Sequence, residues 1–172
     1  MATYTLDTLE VCHPPLQSLR LRIDALADMP TCIAGVIASA SDAQLRNRPA
    51  PELFSIIEQI CHLRDIEIDG YTLRLERILQ EHTPQLADID GAQLALERKY
   101  HEQAVGPAFM AFRAAREINL TKLRGLSETD LERKAIMVGV GEITLAKLIA
   151  MWAAHDAGHR RELELLLRPP RT

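Results

Sequence analysis

The clearest chemical signal in the sequence is a pair of histidines four residues apart. His155 and His159 belong to the segment WAAHDAGH, which begins at Trp152. Residues four apart on a helix share one face, so two imidazoles can converge on one metal ion. The spacing indicates a metal site, but it also fits two histidines that bind backbone carbonyls or line a wet crevice.

The orientation of this pair can be estimated from helical geometry. At about 100° per residue, His159 lies about 40° from His155. The apolar residues of the same helix lie within about 80° of His155, namely Leu145, Leu148, Trp152, Leu163 and Leu166. Both rings therefore point along the face expected to be buried, where unpartnered imidazoles would cost free energy and a metal ion would supply a partner.

A catalytic site of the zinc type commonly uses three protein ligands, and His62 is the candidate for the third. It shares a helical face with Glu58, Asp65 and Asp69, roughly opposite the main apolar stripe of its helix. Two interpretations follow. The face is either a solvated acidic surface or a set of carboxylates that orient ligands and move protons.

Two longer patterns surround these histidines. Residues 55–67 read S-x-x-E-x-x-x-H-L-x-D-x-E, and residues 141–159 contain G-x-x-T-L followed by W-x-x-H-D-x-x-H. An Arg-Pro-Ala loop at 48–50 and the segment around Phe112 and Arg116 complete the pattern. In order and spacing, the stretch from about residue 16 to 167 resembles the DinB-like family, also called the DinB/YfiT-like or damage-inducible family.

The resemblance implies an all-α fold, a four-helix bundle of the DinB/YfiT-like type. It also implies a divalent metal, often nickel or zinc, held by His62, His155 and His159. Characterised relatives include S-transferases that use bacillithiol, mycothiol or glutathione, and homodimers are common. A small-molecule substrate, with a low-molecular-weight thiol as one candidate, is therefore expected, although a fold does not fix a substrate.

Length and composition agree with one helical domain over residues 1–172. The chain has 172 residues, 47% of them apolar and 4% aromatic. Leu and Ala dominate, whereas β-branched Val, which favours strands, is rare. A domain of this length can bury roughly 70% of the surface that its unfolded chain exposes.

Apolar periodicity and breakers divide the chain into helices. Pro30 is expected to kink or restart the first helix, Asp90 with Gln93 reads as an acidic capping box, and Thr144 is a plausible N-cap. The predicted elements are helices at about 16–40, 52–80, 90–106, 107–126 and 144–167, a short helical turn at 127–134 and a loop at 137–141. The four longest of these helices indicate a bundle.

Charge and cysteine content exclude several classes of protein. The net charge is −4 with interleaved acids and bases, which argues against nucleic-acid binding. The longest uncharged apolar stretch, Met29 to Ser41, is too short to span a bilayer, and Asp7 and Glu10 do not fit a signal peptide. Three cysteines without a CxxC pair indicate neither a disulfide framework nor a thiolate zinc site. A cytoplasmic protein is expected.

The remaining candidate residues have simpler interpretations. We expect His13, His82 and His101 to be solvated surface residues and Cys61 to be a core residue. Trp152 is expected to pack in the core or, alternatively, to line the metal pocket. The sequence contains neither a P-loop nor the G-x-S-x-G turn of a serine hydrolase.

The leading hypothesis is a metalloenzyme in which the ion lowers the pKa of water or of a thiol, giving hydrolysis or thiol transfer. Glu58 or Asp65 would orient a ligand or shuttle a proton. The acidic surroundings would favour the cation and disfavour strongly anionic substrates. A non-catalytic stress-response protein that binds metal or a small ligand is the alternative, and an all-α structural domain is the third possibility. A homodimer is expected from the apolar faces that one bundle leaves exposed.

Overall fold

Four long helical segments form the framework, as seen in a computed structural model that describes residues 16–168. They are α1 (Leu16–Ser39), a continuous rod made of α3 (Ile56–Asp65), a π-helical segment (Ile66–Thr72) and α4 (Leu73–Gln80), then α6 (Val105–Arg124) and α8 (Leu145–Leu166). The short helix α2 (Asp42–Arg46) lies between α1 and α3. Helix α1 packs against α6 and α8, and α3 packs against α6 and α8. The predicted four-helix bundle is confirmed.

Side-chain caps define where the helices begin. The hydroxyl of Ser55 accepts the backbone N–H of Glu58 at the start of α3, and Thr144 caps α8 in the same way. Asp90 caps α5 (Gly91–Glu97) by accepting the N–H groups of Ala92 and Gln93. The N-caps predicted at Asp90 and Thr144 are therefore confirmed, and each such cap typically stabilises a helix by about 1 kcal/mol. The capping box predicted at Asp90 does not form, because the Gln93 side chain donates to Glu97 instead.

A small sheet lies where the sequence predicted the end of a helical turn and a loop. Strands β1 (Gln85–Leu86) and β2 (Lys134–Met137) pair in parallel, and β2 pairs antiparallel with β3 (Gly141–Thr144). The predicted turn shrinks to α7 (Glu128–Leu131), capped by Ser127. Alternation of exposed and buried residues along β2 explains the strand: Ala135 and Met137 enter the core while Lys134 and Ile136 face outward.

Three predicted helix boundaries were wrong. Pro30 lies inside an unbroken α1, so the helix does not restart there. Helix α5 ends at Glu97 because Lys99 takes a left-handed conformation, and a 3₁₀ turn (Tyr100–Glu102) then buries Tyr100 completely. Helix α6 begins at Val105, two residues before Pro107, because proline is tolerated in the first turn of a helix.

The apolar interior forms two clusters along the bundle. Cys61 and Trp152 are both fully buried, which confirms the prediction that Cys61 is a core residue. His82 and His101 are exposed as predicted, whereas His13 lies outside the described residues. Among residues 16–168 no helix is both long and apolar enough to cross a bilayer.

Candidate metal centre

Three histidines from two helices of the bundle meet at one point. His62 is contributed by α3, and His155 and His159 by successive turns of α8. The Nε2 atom of His155 lies 3.3 Å from that of His62 and 3.1 Å from that of His159. One ligand atom from each ring lies within 4.8 Å of the others. Ligand nitrogens at about 2.0–2.1 Å from a tetrahedral ion stand about 3.3 Å apart, and the two distances from His155 match this value.

The face of α3 that carries His62 is not a solvated acidic surface. Glu58 and Asp65 on this face are only 1% and 2% exposed. The loop that carries Arg48 and the N-terminus of α5 cover it. Of the two interpretations of this face, the solvated one is therefore wrong, because segments distant in sequence fold over the helix.

Gln59 and Glu162 fix the orientation of His159. The Nδ1 atom of His159 lies 2.5 Å from Oε1 of Gln59 and 3.1 Å from Oε2 of Glu162. The side-chain amide of Gln59 donates to the same Glu162 oxygen at 2.7 Å. Both atoms that face Nδ1 are acceptors, so this nitrogen carries the hydrogen. With the hydrogen on Nδ1, Nε2 is the nitrogen that faces the other two histidines.

A buried polar network lies behind His155. The Nδ1 atom of His155 is 3.7 Å from Oδ1 of Asp156. The other oxygen of Asp156 accepts from Arg116 at 2.6 Å, and Arg116 also donates twice to Glu67, at 2.8 and 2.9 Å. The indole N–H of Trp152 donates to Glu67 at 3.1 Å. This network fixes the helix turn that carries His155.

The π-helical segment supplies one member of this network. Glu67 is in its first turn, and the hydroxyl of Thr72 donates to the Glu67 carbonyl at 2.8 Å. The Asn119 amide donates to both Thr72 and the Glu67 carboxylate, at 2.7 and 2.9 Å. Wider helical turns of this kind are frequent at functional sites.

Burial and like charge set the protonation of the rings. Burial, together with repulsion from His159 and His155, lowers the pKa of His62 to about 3. Burial likewise lowers the pKa of His155, and the hydrogen bond from His159 lowers the pKa of Glu162. At neutral pH, His62 and His155 are therefore neutral and Glu162 is ionised. Neutral imidazole is the form that binds metal.

The two carboxylates predicted to be catalytic have other partners. Glu58 closes the capping box with Ser55 and pairs with Arg48. Asp65 pairs with Arg64 at 2.6 Å and with Arg98 at 3.0 Å. Within residues 16–168, neither carboxylate hydrogen-bonds to a histidine of the cluster. Their catalytic role stays a prediction.

Comparisons with known proteins identify the family. The family model described as the DinB superfamily matches residues 25–163. The chain belongs to the DinB superfamily. Among solved structures it is similar to YfiT from Bacillus subtilis, with a TM-score of 0.83 and 17% sequence identity. The match covers 93% of this chain and 91% of that one. YfiT is described as a probable metal-dependent hydrolase with an unusual four-helix bundle topology. A search of curated proteins found no match.

Gln59 and Glu162 were not among the site residues predicted for this DinB-superfamily centre. Each lies three residues from a histidine of the cluster, so each shares a helix face with it: Gln59 with His62, and Glu162 with His159. That spacing is a usable signal. It identifies polar residues that face the cluster, although Gln59 contacts His159 on the other helix and not His62, its neighbour on α3.

Gly91 packs directly against the ring of His62. A Cβ atom added at this position would lie 2.5 Å from Cε1 and 2.8 Å from Nδ1 of His62. Contacts below 3.0 Å require something to move, and here the other atoms belong to a ring held between two helices. The first residue of α5 therefore limits where His62 can sit.

We expect Gly91→Ala to lower metal affinity at least about tenfold, because the added methyl group must displace His62, an effect comparable to losing an orienting contact. The helix itself tolerates alanine well. Metal titration with a competing chelator measures the effect. Gly106→Ala is the matched control, since an added Cβ there meets nothing within 4 Å. Equal affinities for both variants and the wild type would contradict this prediction.

Proposed function

We propose that this DinB-superfamily protein is a divalent-metal-dependent enzyme whose ion is held by His62, His155 and His159. The observation that carries the proposal is the convergence of three Nε2 atoms, with the His159 lone pair directed inward by Gln59 and Glu162. Three imidazoles suit nickel or zinc, and cellular availability decides between such ions.

The residues present fit such an ion. Three protein ligands leave at least one coordination position open, as in catalytic rather than structural sites. When bound, the ion would lower the pKa of a water molecule or a thiol so that it becomes a nucleophile at neutral pH. Gln59 and Glu162 hold His159 in place before the ion arrives, and Asp156 lies beside His155.

Hydrolysis is the first reaction to test, because YfiT is described as a probable metal-dependent hydrolase. Thiol transfer is the second, since the same ion could activate a thiol in place of water. Protein loaded with nickel or zinc should be assayed against a panel of esters and amides and, separately, against thiol–electrophile pairs. Turnover that disappears in His159→Ala would support the enzyme. Stoichiometric metal with no turnover in any assay would favour the non-catalytic binding protein.

The contribution of the orienting residues can be measured separately. We expect Gln59→Leu to reduce metal affinity by about 10- to 100-fold, because it removes one acceptor at Nδ1 of His159 and the donor to Glu162. Gln80→Leu, at the exposed end of α4, is a matched control that should leave affinity unchanged. Competitive metal titration measures the affinity of both variants. If the affinity of Gln59→Leu equals that of the wild type, contacts other than Gln59 orient His159.

A homodimer remains a proposal. The large apolar side chains that are exposed include Leu21, Leu73, Leu96, Met110 and Ile118. Burial of several of them between two copies would stabilise a dimer. Light scattering that gives the monomer mass of 19.3 kDa would contradict this proposal.

A further inference from the structure

An open cavity of about 550 Å³ adjoins the histidine cluster. His159, Gln59 and Glu162 form part of its wall, so the cavity adjoins the histidine cluster on the Nδ1 side of His159. This volume lies within the range of small-molecule pockets, about 300–1,000 Å³. A molecule held there would lie against His159, one of the three residues proposed above to hold the ion.

Most of the cavity wall is apolar. It is formed by the loop before α3, the start of α5 and the end of α8. Its apolar members are Pro49, Leu53, Phe54, Ala92, Leu165 and Leu166. Leu53 and Leu165 are 50% and 57% exposed. Contact of these leucine side chains with water is unfavourable. An apolar ligand that covers them removes apolar surface from water and so gains affinity.

The charges on the wall have one sign. Glu52 and Glu162 both line the cavity, and none of its described lining residues is a lysine or an arginine. The nearby Arg48 guanidinium pairs with Glu58 and donates to the carbonyl of Pro51, so its donors are directed at the protein. An anionic headgroup would find repulsion here rather than a partner.

We infer that this cavity binds neutral or cationic small molecules through an apolar group, and that it disfavours anionic ones, including thiols that carry several carboxylates. As a statement about catalysis, this inference rests on the proposed function, because it names the class of substrate that the proposed metal centre would act on. Binding itself requires only the wall of the cavity and can be measured without turnover.

A matched set of hexyl compounds tests the inference. Hexyltrimethylammonium, 1-hexanol and hexanesulfonate share one apolar chain and differ in charge, and neither charged headgroup is a good metal ligand. Titrations followed by the NMR shifts of leucine methyl groups should give the strongest binding for the cation. The sulfonate should bind at least about fivefold more weakly than the cation because of the two carboxylates. Equal or tighter binding of the sulfonate would overturn the inference.

Two variants locate the binding at this cavity. Leu165→Ala should weaken all three compounds by about three- to tenfold, since it removes apolar contact area, whereas Leu21→Ala on α1 should not. Glu52→Lys should strengthen sulfonate binding about fivefold or more, while Glu117→Lys, an exposed site on α6, should leave it unchanged. Insensitivity to Leu165→Ala would place the ligand elsewhere and overturn the proposal.

The titrations are run on metal-loaded and chelator-treated protein, which separates the two proposals. If the cation binds more tightly than the sulfonate but no preparation retains metal, the inference about the cavity is supported and the proposal of a metalloenzyme is contradicted. If the protein retains metal but binds the sulfonate as tightly as the cation, only the inference about the cavity is contradicted.

Discussion

His155→Ala is expected to reduce bound metal from about one ion per chain to background. The Nε2 atom of His155 contacts those of both other histidines, so its loss leaves two ligands that do not enclose an ion. Because losing an orienting contact alone typically costs 10- to 100-fold in affinity, losing a ligand should cost at least about 100-fold. Elemental mass spectrometry of tag-free protein measures the metal directly.

The fold should survive this substitution. His155 is 24% exposed at its side chain, and the Nδ1 atom has no hydrogen-bond partner among the described residues. Nickel or zinc should therefore raise the melting temperature of the wild type and of His82→Ala, an exposed control, but not that of His155→Ala. A folded His155→Ala protein with one tightly bound ion would place the metal on other residues.

Local sequence signals predicted much of the bundle. The caps at Asp90 and Thr144 and the spacing of His155 and His159 depend on residues close in sequence, and so could be recognised from it. The π-helical turn containing Glu67 could not, because hydrophobic periodicity assumes 3.6 residues per turn. Strands β2 and β3 were missed since four-residue segments are too short for a reliable alternating pattern.

The spacing of residues within one helix was not enough to predict the whole metal site. His62 is 93 residues from His155, and no periodicity within one helix predicts that they meet. Family resemblance supplied that pairing. The acidic face of α3 was ambiguous because its burial depends on Arg48 and on α5, which reach it only after folding. Gly91 shows the same limit, since its proximity to His62 is a tertiary contact.

Arg116→Met is expected to lower the free energy of unfolding by about 3–5 kcal/mol, the usual cost of removing one partner from a buried charge network. Arg116 and Glu67 are each 1% exposed, and Asp156 is 4% exposed. Methionine keeps an unbranched apolar stem but lacks the guanidinium, so Glu67 and Asp156 lose their shared cation. Urea unfolding measures the change against a total that is typically 5–15 kcal/mol for a domain.

Arg113→Met is the matched control, since Arg113 is exposed three residues earlier on α6 and its loss should change stability by no more than about 0.5 kcal/mol. Adding Glu67→Gln to Arg116→Met should restore part of the loss, because a neutral amide replaces an unpaired buried charge. A loss below about 1 kcal/mol for Arg116→Met would show that Glu67 and Asp156 do not depend on it.

The pH dependence identifies the cause of the loss. Burial raises the pKa of Glu67 even with Arg116 opposing it, so without Arg116 this carboxyl must take up a proton or remain charged in the core. An unfolded glutamate is ionised above a pKa of about 4.3, and the cost of reprotonating it on folding grows as the pH rises. The deficit of Arg116→Met relative to wild type should therefore be larger at pH 8 than at pH 5. A deficit that does not change with pH would instead indicate lost packing against Phe112 and Trp152, whose rings lie 4.8 and 5.4 Å from the guanidinium carbon.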